Sequence, residues 1–129
     1  MKNNDTNSVV YWYLKALNNF TDFRGRSQRK EYWIFEAVTL VLLLATALLN
    51  NYLSFFLALI TIVPSLAVKV RRFHDVGINA WMLLLCIIPF FCFIPLFFTI
   101  LDSQVGENKY GPNPKEMLSA EDILVDVIK

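Results

Sequence analysis

Two stretches of this chain, residues 37–49 (AVTLVLLLATALL) and 81–101, contain no charged side chain at all, and a third, Tyr52 to Val68, is broken only by Ser54, Thr61, Pro64 and Ser65. Helices at the surface of a soluble bundle need a polar face, and these runs have none, so a water-soluble helical core is excluded and lipid is the expected solvent. The composition agrees because its apolar excess is concentrated in these runs: 56% of the 129 residues are hydrophobic and the mean hydropathy is +0.45. The reading is an all-α integral membrane protein, with about three transmembrane helices preceded by an N-terminal interfacial amphipathic helix.

The chain divides accordingly. Residues 1–31 form a polar segment with the interfacial helix and a basic motif, 32–101 a membrane domain, and 102–129 a polar tail. From Val9 to Phe20 the apolar residues Val10, Tyr13, Leu14 and Leu17 recur at helical spacing, broadened by Val9, Trp12, Ala16 and Phe20 and opposed by Lys15, Asn18 and Asn19. That stretch is too short to cross a bilayer and suits the headgroup level. After a turn at Gly25, Ser27 is expected to cap a helix with Glu31 in its first turn, at the positive end of the helix dipole. Spans are expected at about 32–49, 52–70 and 81–101, with a cytoplasmic loop at 71–80. Asn50 and Asn51 join the first two as a tight hairpin. Pro64 should kink the second, with Thr61 and Ser65 satisfying the freed backbone, and Pro89 and Pro95 should bend the third. The tail reads as a turn over GENKYGPNP and then a short amphipathic helix over SAEDILVDVIK. The first thirty residues have no compact apolar core before a cleavage site, so targeting is expected from the spans themselves.

Charge sets the orientation. The net charge is only +1, but Lys2, Lys15, Arg24, Arg26, Arg29 and Lys30 precede the first span, the first loop has no basic residue, and Lys69, Arg71 and Arg72 close the second span. The positive-inside rule places the N-terminus and the 71–80 loop in the cytoplasm. A third crossing puts the tail outside; if the proline-broken run turns back within the membrane, the tail shares the cytoplasmic face.

Three polar motifs punctuate the runs: FRGRSQRKEYW (Phe23 to Trp33), RRFHDVGINAW (Arg71 to Trp81) and GENKYGPNP (Gly106 to Pro114). Together they resemble a bacterial inner-membrane family catalogued as domain of unknown function 805. The resemblance covers Trp12 to Pro114 and is carried by Phe23, Gly25, Arg26, Arg29, Glu31 and Trp33, by Arg71, Arg72, His74, Asp75, Gly77 and Trp81, and by Gly106, Asn108, Tyr110, Gly111 and Pro114. Many relatives have serine and glycine where this chain has Asn79 and Ala80, and aspartate where it has Asn113, which argues against chemistry at those positions. The resemblance implies a bacterial inner-membrane location and topology and no agreed activity.

Arg24, Arg26, Arg29, Arg71 and Arg72 are expected to gather on the cytoplasmic face, where they anchor the chain among anionic headgroups or form a pocket for a phosphate or lipid headgroup. Arg71 and Arg72 also lie four and three positions before Asp75, at ion-pair spacing, and the loop can clamp onto the first span through Arg26, Arg29 or Glu31. Glu36, about one turn into an apolar run, either snorkels to the interface or pairs with Lys69 or Arg72; a small transporter or channel using Glu36 is the alternative function. His74 and Asp75 are adjacent and point about 100° apart on a helix, so a bracing role is favoured over acid–base catalysis. Glu31, Glu36, His74, Asp75 and Asn108 complete the candidate polar cluster. Cys86 and Cys92 are six apart in an apolar run and read as small apolar fillers.

No metal, cofactor or catalytic constellation is expected, and no nucleic-acid partner, since the aromatics are interfacial rather than free to stack on bases. Membrane lipids, other membrane proteins or a second copy of the chain are the expected partners. The expected function is that of a lipid- or protein-binding or assembly component.

Overall fold

The computed structural model describes residues 8–128, which hold five α-helices, one 3-10 helix and no strand. Helix α1 (Val9–Asn18) lies against α2 (Arg29–Leu49): Ala16 is fully buried with Tyr32, Phe35 and Val68, and Tyr13 stacks on Phe35 with ring centroids 5.1 Å apart. Trp12 is also buried, whereas Val9, Val10 and Leu14 remain exposed, so the helix packs through Trp12, Tyr13, Ala16 and Leu17 and not through the whole of its predicted apolar face. The N-cap of α2 is Gln28, not Ser27, and no side chain caps it. Ser27 is instead drawn away by α3, donating its backbone N–H to the Arg71 carbonyl at 3.0 Å.

Helix α2 and α3 (Asn51–Asp75) form a hairpin whose turn is a single extended residue, Asn50. Its side chain accepts from the Tyr52 N–H at 2.8 Å, capping α3, while its own N–H donates to the Thr46 carbonyl at 2.8 Å and closes α2. At about 1.5 Å per residue the two helices extend about 30 Å or more, enough to cross a hydrocarbon core. Apolar side chains such as Leu40, Val41, Leu44, Phe55, Phe56 and Ile60 stand exposed along them, which suits lipid and not water. Pro64 sits inside α3, but neither expected hydroxyl repairs the break. A helical serine or threonine reaches back three or four residues, so Thr61 bonds the Leu57 and Ala58 carbonyls, and Ser65 turns across to Glu36.

The run read as a third span, 81–101, is not one helix. It forms a 3-10 helix (Ala80–Ile87) and α4 (Phe93–Ile100), of eight residues each, and neither is long enough to cross a bilayer. Between them Pro89 and Phe90 occupy the centre of a turn in which the Phe91 N–H donates to the Ile88 carbonyl at 3.2 Å. Phe90 has φ 73°, the left-handed value required at the third position of a type II turn that begins with proline at the second. The chain thereby doubles back: Asn79, at the start, follows the end of α3, and Gln104, beyond the far end, donates its N–H to the Asp75 carbonyl at 3.0 Å. Both ends of the run lie at one end of the α2–α3 hairpin, opposite Asn50.

Past α4, Asn108 and Gly111 exchange backbone hydrogen bonds of 3.0 Å across a tight loop. Asn113 then caps α5 (Pro114–Ile128), accepting from the Lys115 N–H at 3.1 Å, with proline in the first helical position.

Candidate functional site

The packing of α3 is concentrated in its last four turns, where Ala67, Val68, Arg71, Arg72, Phe73, His74 and Asp75 are all buried. This is also where the three motifs meet. Arg26, from the turn before α2, sends Nε to Asp75 Oδ1 (3.1 Å), Nη1 to the carbonyls of Gly106 (2.8 Å) and Gly111 (3.2 Å), and Nη2 to the carbonyls of Gln104 (2.6 Å) and Asp75 (3.2 Å). One planar cation therefore binds all three motifs at once, using the fixed fork geometry that a lysine lacks. Gly106 has φ +73°, a conformation open to glycine, and it turns its carbonyl onto Arg26.

Asp75 is the second hub. Its Oδ2 accepts from Arg72 Nη1 and from Ser103 Oγ, both at 2.5 Å, in addition to the Arg26 contact on Oδ1. The expected i,i+3 pair Arg72–Asp75 is thus present, but fully buried rather than exposed, so the small contribution of surface pairs does not apply. Arg72 also donates through Nε to the Thr99 carbonyl (3.2 Å) and through Nη2 to the Leu101 carbonyl. With Trp33 Nε1 on Thr99 O (3.3 Å) and Arg29 Nη1 on Ile100 O (3.3 Å), the last carbonyls of α4 find donors from α2 and α3. Helix C-terminal carbonyls carry partial negative charge, so these donors explain why the apolar run returns to this end.

Arg71 does not take the i+4 partner Asp75. It crosses to Glu31 Oε1 at 2.7 Å, with both side chains buried, so Glu31 clamps α2 to α3. Among the described residues, Arg71 Nε and Nη2 have no hydrogen-bond partner, and neither have Ser27 Oγ and Gln28 Nε2. His74 and Asp75 do not pair with each other: His74 Nδ1 faces the Gly25 carbonyl at 3.2 Å, and its ring stacks on Tyr110 at 3.8 Å between centroids. Asn108 Nδ2 donates to the His74 carbonyl at 2.9 Å, fixing the third motif on the second. Arg24 is exposed, and Arg29 is exposed apart from its Ile100 contact. Of the five candidate headgroup-binding arginines, then, three are drawn into the protein and two remain at its surface.

Glu36 lies apart from this cluster. Its Oε1 accepts from Lys69 Nζ at 3.0 Å and from Ser65 Oγ at 2.8 Å, within a groove of about 310 Å³ between α2 and α3 that Thr39 and Thr61 also line. Cys86 and Cys92 are free, and both line a cavity of about 270 Å³ between run three and α2–α3. The cluster also contains residues that the sequence did not single out. Gln104, Ser103 and the carbonyls of Thr99 and Leu101 are acceptors and donors of the cluster; the one signal for them was the surplus of arginine over carboxylate in the first two motifs.

Comparison with known proteins agrees with this convergence. Residues 20–112, which contain the first two motifs and most of the third, match the model of a family described as "Protein of unknown function (DUF805)". The chain is similar to "Inner membrane protein YhaH" of Escherichia coli (strain K12), with 38% identity over 116 residues covering 81% of this chain and 96% of the relative. It is equally similar to "Inner membrane protein YhaI" of the same organism, with 38% identity over 114 residues covering 82% and 97%. No solved structure matches. With its helical fold, its lipid-facing apolar surface and relatives along nearly their whole length in the inner membrane, the chain belongs to the DUF805 family of inner-membrane proteins.

Proposed function

We propose that this chain is a non-catalytic binding or assembly component of the bacterial inner membrane, in which the family motifs build the fold and recognition is left to the surfaces around them and to the few motif donors that the fold does not use. The observation that carries this reading is the fate of the charges: Arg26, Arg72 and Asp75 are spent on one another, on the Ser103 hydroxyl and on backbone carbonyls, and none of these three is left free to act on a substrate. His74 is held by Gly25 and Tyr110 and has no carboxylate partner, which weighs against acid–base chemistry there. The transporter reading through Glu36 loses support because its carboxylate is already paired with Lys69 and Ser65.

In this reading α2 and α3 cross the membrane and 80–100 is a re-entrant hairpin. The N-terminal segment, the motif cluster and the tail then share one face, which the basic residues orient toward the cytoplasm. Partners are lipids at the rim of that face, near Arg24, Arg29 and Lys30, and membrane proteins or a second copy along the apolar helices.

The test is native purification in a mild detergent, with identification of bound lipid and protein. The reading predicts stoichiometric phospholipid or a co-purifying membrane protein. A monomer carrying neither, or a solute flux in reconstituted vesicles that Glu36→Gln abolishes, overturns it.

A further inference from the structure

The buried charges of the motif cluster do not balance. Among the described residues, Arg26, Arg71 and Arg72 are three buried guanidiniums, while Glu31 and Asp75 are two buried carboxylates, a difference of one positive charge. An uncompensated charge removed from water costs several kcal/mol, and although carbonyl dipoles offset part of it on Arg26 and Arg72, the surplus favours a bound anion.

The unused donors show where that anion belongs. Every guanidinium nitrogen of Arg26 and of Arg72 already has a partner. Arg71 uses only Nη1, on Glu31, and its Nε and Nη2 are buried and unpartnered. Those two nitrogens form one edge of the planar guanidinium, with parallel N–H bonds spaced for two oxygens of a phosphate or carboxylate. The Glu31 bond holds this guanidinium at the first turn of α2, a helix of 21 residues whose N-terminus has no side-chain cap. Gln28, the N-cap residue, is 5% exposed and its Nε2 is also an unpartnered donor, and so is the hydroxyl of Ser27 beside it. The Ser27 N–H bonds the Arg71 carbonyl at 3.0 Å and Arg71 Nη1 bonds Glu31, so the orphaned donors and the surplus positive charge all lie at the start of α2, the positive end of its dipole.

We propose that Arg71, Gln28, Ser27 and the first turn of α2 form a binding site for a phosphate group. This rests on the binding reading above and names its ligand chemistry. Of the site residues Gln28 reaches an opening, a cleft of about 410 Å³ that it lines with Trp12, Lys30, Lys115 and the α5 residues Asp122 and Asp126, whereas Arg71 and Ser27 are buried and do not line it. The two lysines favour the approach of an anion; the two aspartates oppose it, so α5 sets the selectivity against multiply charged ligands. The phosphate belongs either to a phospholipid headgroup or to a free phosphate.

The test uses full-length protein in delipidated maltoside micelles. One arm titrates inorganic phosphate and follows the thermal midpoint. The second adds phosphatidylglycerol and counts retained lipid by native mass spectrometry. Arg71→Lys keeps the charge and removes the two-donor edge, Gln28→Leu removes one donor with little change of size, and Lys109→Gln, at an exposed position outside the site, is the surface control. Wild type and Lys109→Gln are expected to bind at least one probe, and both site variants to bind it about tenfold or more weakly. Lipid retention that free phosphate does not displace assigns the site to a headgroup; displacement assigns it to phosphate from either source. Site variants that bind both probes like wild type, or a wild type that binds neither, overturn the proposal. If lipid is retained but is indifferent to Arg71 and Gln28, this site fails while the binding reading stands.

Discussion

Arg26 donates through Nε to Oδ1 of Asp75 at 3.1 Å, across 49 positions of sequence, and both side chains are buried. The pair joins the turn before α2 to the end of α3, and through the other guanidinium nitrogens it also holds the loop around Gly106 and Gly111. Removing one partner of a buried pair leaves the other charge uncompensated, which costs about 3–5 kcal/mol. Arg26→Gln and Asp75→Asn are each expected to lower the thermal midpoint of the detergent-solubilised protein sharply and to reduce its abundance in the membrane. Arg26→Lys is expected to rescue little, because one ammonium cannot reach the four residues that Arg26 bonds. A wild-type midpoint in any of these variants contradicts the hub role.

Gly77 ends α3 with φ +79°, and a Cβ placed there would lie 2.4 Å from Gln104 Oε1. The Gln104 side chain is flexible and able to withdraw, although it would then lose its 3.0 Å bond from Asn108. The backbone cannot adapt as easily: a left-handed conformation costs an L-residue about 1–2 kcal/mol. Gly77→Ala is expected to destabilise by about that amount in thermal unfolding, and Gly77→Asn by less, since asparagine tolerates this region better. Equal stability for all three residues counts against the turn as described.

The tail is fastened by an exposed pair, Lys115 Nζ to Asp102 Oδ1. Bonding to Lys115, helped by the Ser103 N–H, holds the Asp102 carboxyl below the usual aspartate range. A depressed folded-state value means that the pair contributes fully above the unfolded value and is lost as pH falls through the folded one. Hydrogen exchange in the first turns of α5 is therefore expected to be unaffected by this pair between pH 7 and about 5, and to rise only in more acid solution. Because the pair is exposed, the effect is small. Lys115→Gln is expected to remove the acid-dependent step; an identical step in that variant excludes the pair as its source.

Much of this architecture was legible in the residues. Uncharged runs require lipid, two asparagines between two runs require a tight hairpin, and the pairs Glu36–Lys69 and Arg72–Asp75 and a clamp through Glu31 are each among the alternatives that the spacing leaves open. The third run was harder to read because length and hydropathy are the same for a span and for a hairpin buried to half depth. What separates them is the backbone at Pro89 and Phe90, and the carbonyls of Thr99, Ile100 and Leu101 that answer Arg72, Arg29 and Trp33. Carbonyl acceptors have no side-chain signature. For the same reason the arginines looked like a lipid-facing patch: a guanidinium that binds backbone is indistinguishable in sequence from one that binds headgroups.

The central claim is that the three motifs close into one cluster at one end of the α2–α3 hairpin, so that run three returns to the side it left. Single cysteines at Asp22, Asn51 and Ser119, in a background with Cys86 and Cys92 replaced by alanine, test it through labelling of intact spheroplasts with a membrane-impermeant maleimide. The account predicts that Asn51→Cys is labelled from outside, and that Asp22→Cys and Ser119→Cys are both labelled only after permeabilisation. Labelling of Ser119→Cys from outside, with Asp22→Cys protected, would place the tail across the membrane from the first motif and contradict the account.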